Sequence, residues 1–103
     1  MIDNFLNYLQ NEKRFSNHTV VAYKKDIQQF FDFESLENIK SINHKDIRNY
    51  LVYLVESNHE NTTINRKLSS LKTFFKYLKI QGVIENNPMM KIQGVKTKKR
   101  LPD

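Results

Sequence analysis

From Thr62 to Gln81 the chain runs twenty residues, TTINRKLSSLKTFFKYLKIQ, without a glycine, a proline or an acidic side chain. Within it Ile64, Leu68, Leu71, Phe75 and Leu78 recur at intervals of three and four. At about 100° per residue these five fall within roughly 40° of one line, the signature of an amphipathic helix. Asn61 or Thr62 is the expected start, and Gly82 the expected stop, because glycine takes the left-handed conformation at a C-cap. A helix this long, about 30 Å, cannot bury its apolar edge alone. The rest of the chain must therefore pack around it.

Three upstream segments have the pattern to do so. About Asp3 to Lys13, Phe5, Leu6 and Leu9 sit at helical spacing with Asp3 as a plausible N-cap. After a break at Ser16-Asn17, a second helix carries Val20, Tyr23, Ile27, Phe30 and Phe31 inward and shows His18, Ala22, Lys25 and Gln29 on its slim opposite side. Asp32 to Ile42 reads as a loop with a short turn, anchored by Leu36 and Ile39. A third helix from His44 to Glu56 has Asn43 as N-cap, Asp46 in its first turn, and Ile47, Tyr50, Leu51, Leu54 and Val55 facing inward. Beyond Gly82, Ile84, Met89, Met90 and Ile92 are expected to cover Tyr77 and Ile80, with Pro88 opening a short fifth helix. No segment alternates with a period of two, so no sheet is expected. The fold class is all-α, a compact bundle of four main helices plus a short C-terminal one, over residues 1–95. Residues 96–103 read as a basic linker, and a chain ending in a linker looks like a piece of something longer.

Composition narrows what such a bundle does. The chain of 103 residues has no cysteine, so neither a disulfide framework nor a thiolate metal site is available, in keeping with a cytoplasmic location. No run of eighteen apolar residues exists for a membrane span, and the N-terminus lacks the pattern of a signal peptide. The net charge of +6 is unevenly placed. Residues 1–33 balance, 34–60 carry −2, and 61–82 hold Arg66, Lys67, Lys72, Lys76 and Lys79 with no acid. Lys96, Lys98, Lys99 and Arg100 add a basic tail.

No catalytic constellation is evident. His18, His44 and His59 lie in three different segment starts or turns, none in a metal-ligand register, and there is no glycine-rich phosphate loop. No metal, cofactor or catalytic residue is assigned to this chain. Binding has a clearer mechanism, since a groove-entering helix needs short polar groups near the bases and cations near the phosphates. The far side of the fourth helix offers Thr62, Asn65, Arg66, Ser69, Lys72, Thr73 and Lys76. Arg66 suits a bidentate guanine contact or a phosphate clamp, and Lys72 and Lys76 suit phosphates. Lys67, nearer the apolar stripe, is expected to snorkel along its flank. His18, Lys24, Lys25 and Gln29 of the second helix form a weaker companion surface beside Asp26. The plainer alternative is a helical protein-interaction module whose basic face binds an acidic partner or nothing. Lipid is a poor partner, since the basic helix already commits its apolar side to the core.

The pattern as a whole resembles the N-terminal core-binding, SAM-like domain of Xer-type tyrosine recombinases and phage integrases. Residues 62–78 look like that family's fourth helix, with Thr, Arg, Leu-Ser-x-Leu, Phe-Phe and a closing aromatic-Leu. Gly82-Val-Ile-Glu-Asn-Asn-Pro88 matches its Gly, apolar pair and Asn-Pro turn. Ser16-Asn-His-Thr19, Tyr23, Asp26-Ile27 and Phe30 resemble its second helix, and Ile47, Tyr50-Leu51 and Leu54 its third. The short, charged connector from Asp32 to Ile42 departs from the usual pattern. The resemblance implies a C-shaped clamp on double-stranded DNA, with a separate catalytic domain in the full-length chain, recombinase subunits assembled as a tetramer, and a role in DNA recombination or integration. It also implies that Asn65, Arg66, Ser69, Thr73 and Lys25 face DNA. Lys98, Lys99 and Arg100 would track the backbone on the way to the catalytic domain.

Overall fold

The computed structural model describes residues 2–34, 36–90 and 92, and among these every regular element is helical. Helix α1 spans Ile2–Asn11, α2 Asn17–Phe33, α3 His44–Glu56 and α4 Asn61–Ile80, with a 3-10 helix at Leu36–Ser41. The 3-10 helix occupies the connector expected to be a loop, and Ile39 and Ile42 within and just after it are buried. The expected basic linker, with Lys96, Lys98, Lys99 and Arg100, lies outside the described residues.

Local chemistry fixes the ends. Ser16 caps α2 by accepting the Thr19 N–H at 3.3 Å. At α3 the cap is reciprocal: Asn43 Oδ1 accepts from the N–H groups of Lys45 (2.9 Å) and Asp46 (3.2 Å), while the Asn43 N–H donates to Asp46 Oδ2 at 3.0 Å. Each such cap satisfies donors that a helix start leaves orphaned. Helix α3 ends on Asn58 in the left-handed region, φ 65°. The α4 terminus uses Gly82 at φ +78°, with the N–H groups of Gly82 and Val83 donating to the carbonyls of Lys79 and Leu78. That paired return is a Schellman stop, and Gly82 is the residue that reaches it without strain. Glu60, rather than Asn61 or Thr62, precedes α4 as N-cap, and its side chain makes no cap bond.

Helix α4 is the shared wall of the core. Ile64, Leu68, Leu71, Phe75 and Leu78 are buried as their spacing requires, and Lys67, Ser70 and Phe74 join them. The buried arc is therefore wider than one stripe, because α4 is flanked by α2 on one side and α3 on the other. Rings fill the centre: Phe30 meets Tyr50 at 5.1 Å and Phe75 at 6.0 Å, both edge-on. Edge-to-face pairs of this kind add to plain burial.

Two expectations are corrected. Val55 is 51% exposed, because Ile47, Tyr50 and Leu54 define the inward face of α3 and Val55 falls about 100° beyond it. Tyr77 has its cover from α1, which the spacing within α4 does not suggest; its ring lies 5.3 Å from Phe5 and 4.8 Å from Tyr8. Ile80, one turn further along, is 66% exposed. Of the residues meant to cover it, Ile84 and Met89 enter the core instead and Met90 points outward. At Pro88–Met90 the described chain forms a turn, with the N–H groups of Met90 and Ile92 donating to the carbonyls of Asn87 and Met89, three residues back; the rest of the expected fifth helix lies outside the described residues.

Candidate nucleic-acid interface

Helices α2 and α4 meet around one carboxylate. Asp26 lies on the inward side of α2, one residue before Ile27 and one turn before Phe30, and is 1% exposed. Its Oδ1 accepts from Arg66 Nη2 at 2.8 Å and Lys67 Nζ at 3.2 Å. Its Oδ2 accepts from Ser70 Oγ at 2.8 Å and Arg66 Nε at 3.3 Å. Four donors leave this buried charge well solvated by protein, which is the condition under which a carboxylate tolerates burial. The Lys67 ammonium, 4% exposed, also donates to Gln29 Oε1.

Lys67 thus does not snorkel to solvent. It is turned inward, and the acid drawing it in is forty-one positions away in sequence. The missed hub, Asp26 with Lys67 and Ser70, had one sequence signal: an acid at a core position of α2, where Tyr23, Asp26, Ile27 and Phe30 follow at helical spacing.

Outside the hub, α4 turns a continuous polar strip to solvent. Thr62, Arg66, Ser69 and Lys76 are exposed and Thr73 is half-buried, at successive three- and four-residue steps along about 21 Å of axis. Lys72, exposed, and Asn65, half-buried, border the strip on the α3 side. On α2, His18, Lys25 and Gln29 are exposed on the flank adjoining the hub, while Lys24 points about 160° away from Asp26. The two helices bring His18, Lys25, Gln29, Arg66 and Ser69 toward one face, and Lys24 is not brought there. Between them lies a cleft of about 290 Å³ whose walls include Thr19, Ala22, Arg66 and Ser70. Small side chains on one wall and a guanidinium on the other make a recess suited to the edge of a planar, hydrogen-bonding group.

The histidines stay apart. His44 sits at the start of α3 and His59 Nδ1 lies 3.2 Å from the Leu54 carbonyl oxygen. Among the described residues no group of three His, Asp or Glu is placed to hold a metal ion. No described helix is long and apolar enough to cross a membrane.

Comparison with known sequences assigns this architecture. The family model for the phage integrase N-terminal SAM-like domain matches residues 2–82, from the start of α1 to the Gly82 stop. The chain belongs to that family. Curated relatives of this SAM-like domain include a tyrosine recombinase XerC of Oceanobacillus iheyensis, 38% identical over 98% of the chain and 34% of the relative. A tyrosine recombinase XerC of Staphylococcus haemolyticus is 39% identical over 95% of the chain and 34% of its own length. A tyrosine recombinase of Thermosipho africanus is 38% identical over all of the chain and 38% of its own length. The chain spans about a third of the length of these relatives. The third that it spans is the SAM-like domain and not a catalytic domain. No solved structure matches the chain.

Proposed function

We propose that this SAM-like domain binds duplex DNA as the N-terminal clamp half of a site-specific tyrosine recombinase acting in the cytoplasm. The observation that carries the reading is the α4 strip. Twenty helical residues without an acid hold their apolar side inward and leave Thr62, Arg66, Ser69, Thr73 and Lys76 on the open side, next to Lys25 of α2. Short polar groups at the centre and lysines at the borders match what a major groove and its phosphates require. In this reading Lys25, Lys72 and Lys76 contact phosphates, while Arg66, Ser69 and Asn65 lie nearest the bases. Lys98, Lys99 and Arg100 follow the backbone toward the chain's own catalytic domain. Recombinase subunits then assemble as a tetramer on paired sites, the domain alone being a monomer.

Titration of a labelled duplex with the 103-residue chain at about 50 and about 200 mM salt tests this. Binding alone is expected at micromolar or weaker affinity near physiological salt, as for non-specific contact. The three helix lysines alone give a log–log salt slope of about −3, and the tail cations Lys98, Lys99 and Arg100 steepen it to about −5. Arg66→Ala is expected to weaken binding further. No saturable binding even at low salt would return the basic face to a protein-interaction role.

A further inference from the structure

The Asp26 hub is over-supplied with positive charge, and the surplus has a direction. Lys67, buried with Asp26, already neutralises the carboxylate. Arg66 adds a second cation whose side chain remains 56% exposed. Its attachment is side-on: Nε and Nη2 each give one N–H to the two oxygens of Asp26, at 3.3 and 2.8 Å. A guanidinium has five N–H groups in a rigid plane. Three are left: one on each Nη, parallel at the tip, forms the end-on fork, and the second on Nη1 points back beside Cδ. The carboxylate, itself held by Lys67 and Ser70, fixes the plane in which that fork lies.

Resting on the duplex-binding reading above, we infer that Arg66 reads a single guanine through O6 and N7, and that Asp26 is the residue that positions it. Two parallel N–H donors match the two major-groove acceptors of guanine, a pattern no other base presents there. A phosphate clamp fits the surroundings less well. The lysines Lys25, Lys72 and Lys76, which make no ion pair among the described residues, stand at the borders of the face and supply the phosphate contacts, whereas the Nε side of Arg66 is already bound to Asp26. Arg66 instead stands beside the cleft of about 290 Å³, opposite Thr19 and Ala22, where small side chains leave room for a base edge. Fixing the guanidinium in advance also lowers the ordering cost of the contact, which favours the base that fits over those that do not.

The test begins with selection of bound duplexes from a random-sequence pool by the 103-residue chain. One position enriched in guanine is expected. Replacing that guanine by 7-deazaguanine, which lacks the N7 acceptor, lowers affinity about tenfold, whereas inosine, which keeps O6 and N7, leaves it unchanged. Arg66→Ala and Asp26→Asn both flatten the preference at that position alone. Lys67→Met removes the other cation but keeps the Asp26–Arg66 bond, and so retains the preference. If Asp26→Asn does not fold by circular dichroism, the Asp26→Asn/Lys67→Met double variant, free of an unpaired buried ammonium, is read in its place. A preference that survives loss of Asp26 overturns the positioning role. Duplex binding that is indifferent to 7-deazaguanine, measured on the unaltered chain, overturns the guanine contact while leaving the DNA reading standing. Failure to bind any duplex removes the DNA reading itself.

Discussion

Helix α4 is held at two places by opposite kinds of chemistry. At the heart of the bundle, where α2, α3 and α4 come together, the contact is apolar and aromatic, with Phe30 of α2 meeting both Tyr50 of α3 and Phe75 of α4 edge-on. The α2–α4 contact also contains a buried carboxylate with two cations and a hydroxyl. The apolar side is non-directional, so side chains of similar volume replace one another there at modest cost. The ionic side is directional: each member fixes the geometry of the next, and removing one strands the others. The side next to the proposed DNA face is the directional one. A surface that must present a guanidinium in one orientation gains from rigid partners beneath it, whereas a core needs only density.

The largest expected effect breaks the ionic side. Asp26→Ala leaves the Lys67 ammonium buried without its counter-charge and is expected to lower stability by about 3–5 kcal/mol in urea unfolding at neutral pH. Arg66 adds little to that loss because it can turn out into solvent. A loss under about 1 kcal/mol would show that the hub is a surface ion pair in energetic terms.

Next in size is an alkaline effect confined to the aromatic side. Burial is the main cause that pushes the Tyr50 hydroxyl up to about 12, with the charge of Asp26 and the neighbouring Tyr53 and Asp32 adding to it. An unfolded tyrosine ionises near 10. Between those values the unfolded chain loses the proton and the folded one keeps it, so the Tyr50 contribution is intact below about pH 10 and is lost as pH rises toward 12. A shift of this size corresponds to a few kcal/mol. Tyr50→Phe should therefore unfold less readily than the parent chain above pH 10. Near pH 7 it should be neutral or slightly stabilising, because the buried hydroxyl has no hydrogen-bond partner among the described residues. Equal pH profiles for the two chains, followed by denaturant midpoint, would contradict this.

The smallest effect sharpens the contrast. Phe30→Leu keeps the aromatic side apolar and nearly filled, and is expected to cost about 1–1.5 kcal/mol, well below the loss from Asp26→Ala. Should Phe30→Leu prove the costlier of the two, ring geometry rather than apolar volume holds this side together.

The four helices were legible because each carries its own periodicity: the α4 stripe, the α2 run ending in Phe30, the Asn43–Asp46 cap and the Gly82 stop are all local features. What was not legible depends on which helix lies next to which. Tyr77 needed a cover, and periodicity within α4 gave no reason to look to α1 for it. Lys67 looked like a flank residue because its partner, Asp26, belongs to another helix, and Asp26 looked like an unwelcome neighbour of Lys25 for the same reason. Val55 shows the limit from the other direction, since an apolar residue at the margin of a stripe is placed by the width of the facing helix and not by its own hydrophobicity.

The lodging of Asp26 against α4 also alters how this molecule is felt at a distance. A helix that reads as five positive charges and no negative one carries its counter-ion on loan from a neighbour, so the potential it projects is that of about four. Long-range capture of a polyanion then falls mainly to the outlying lysines. The central guanidinium, the surplus cation of the hub, adds its share to the approach and makes its directed contact once the partner has arrived.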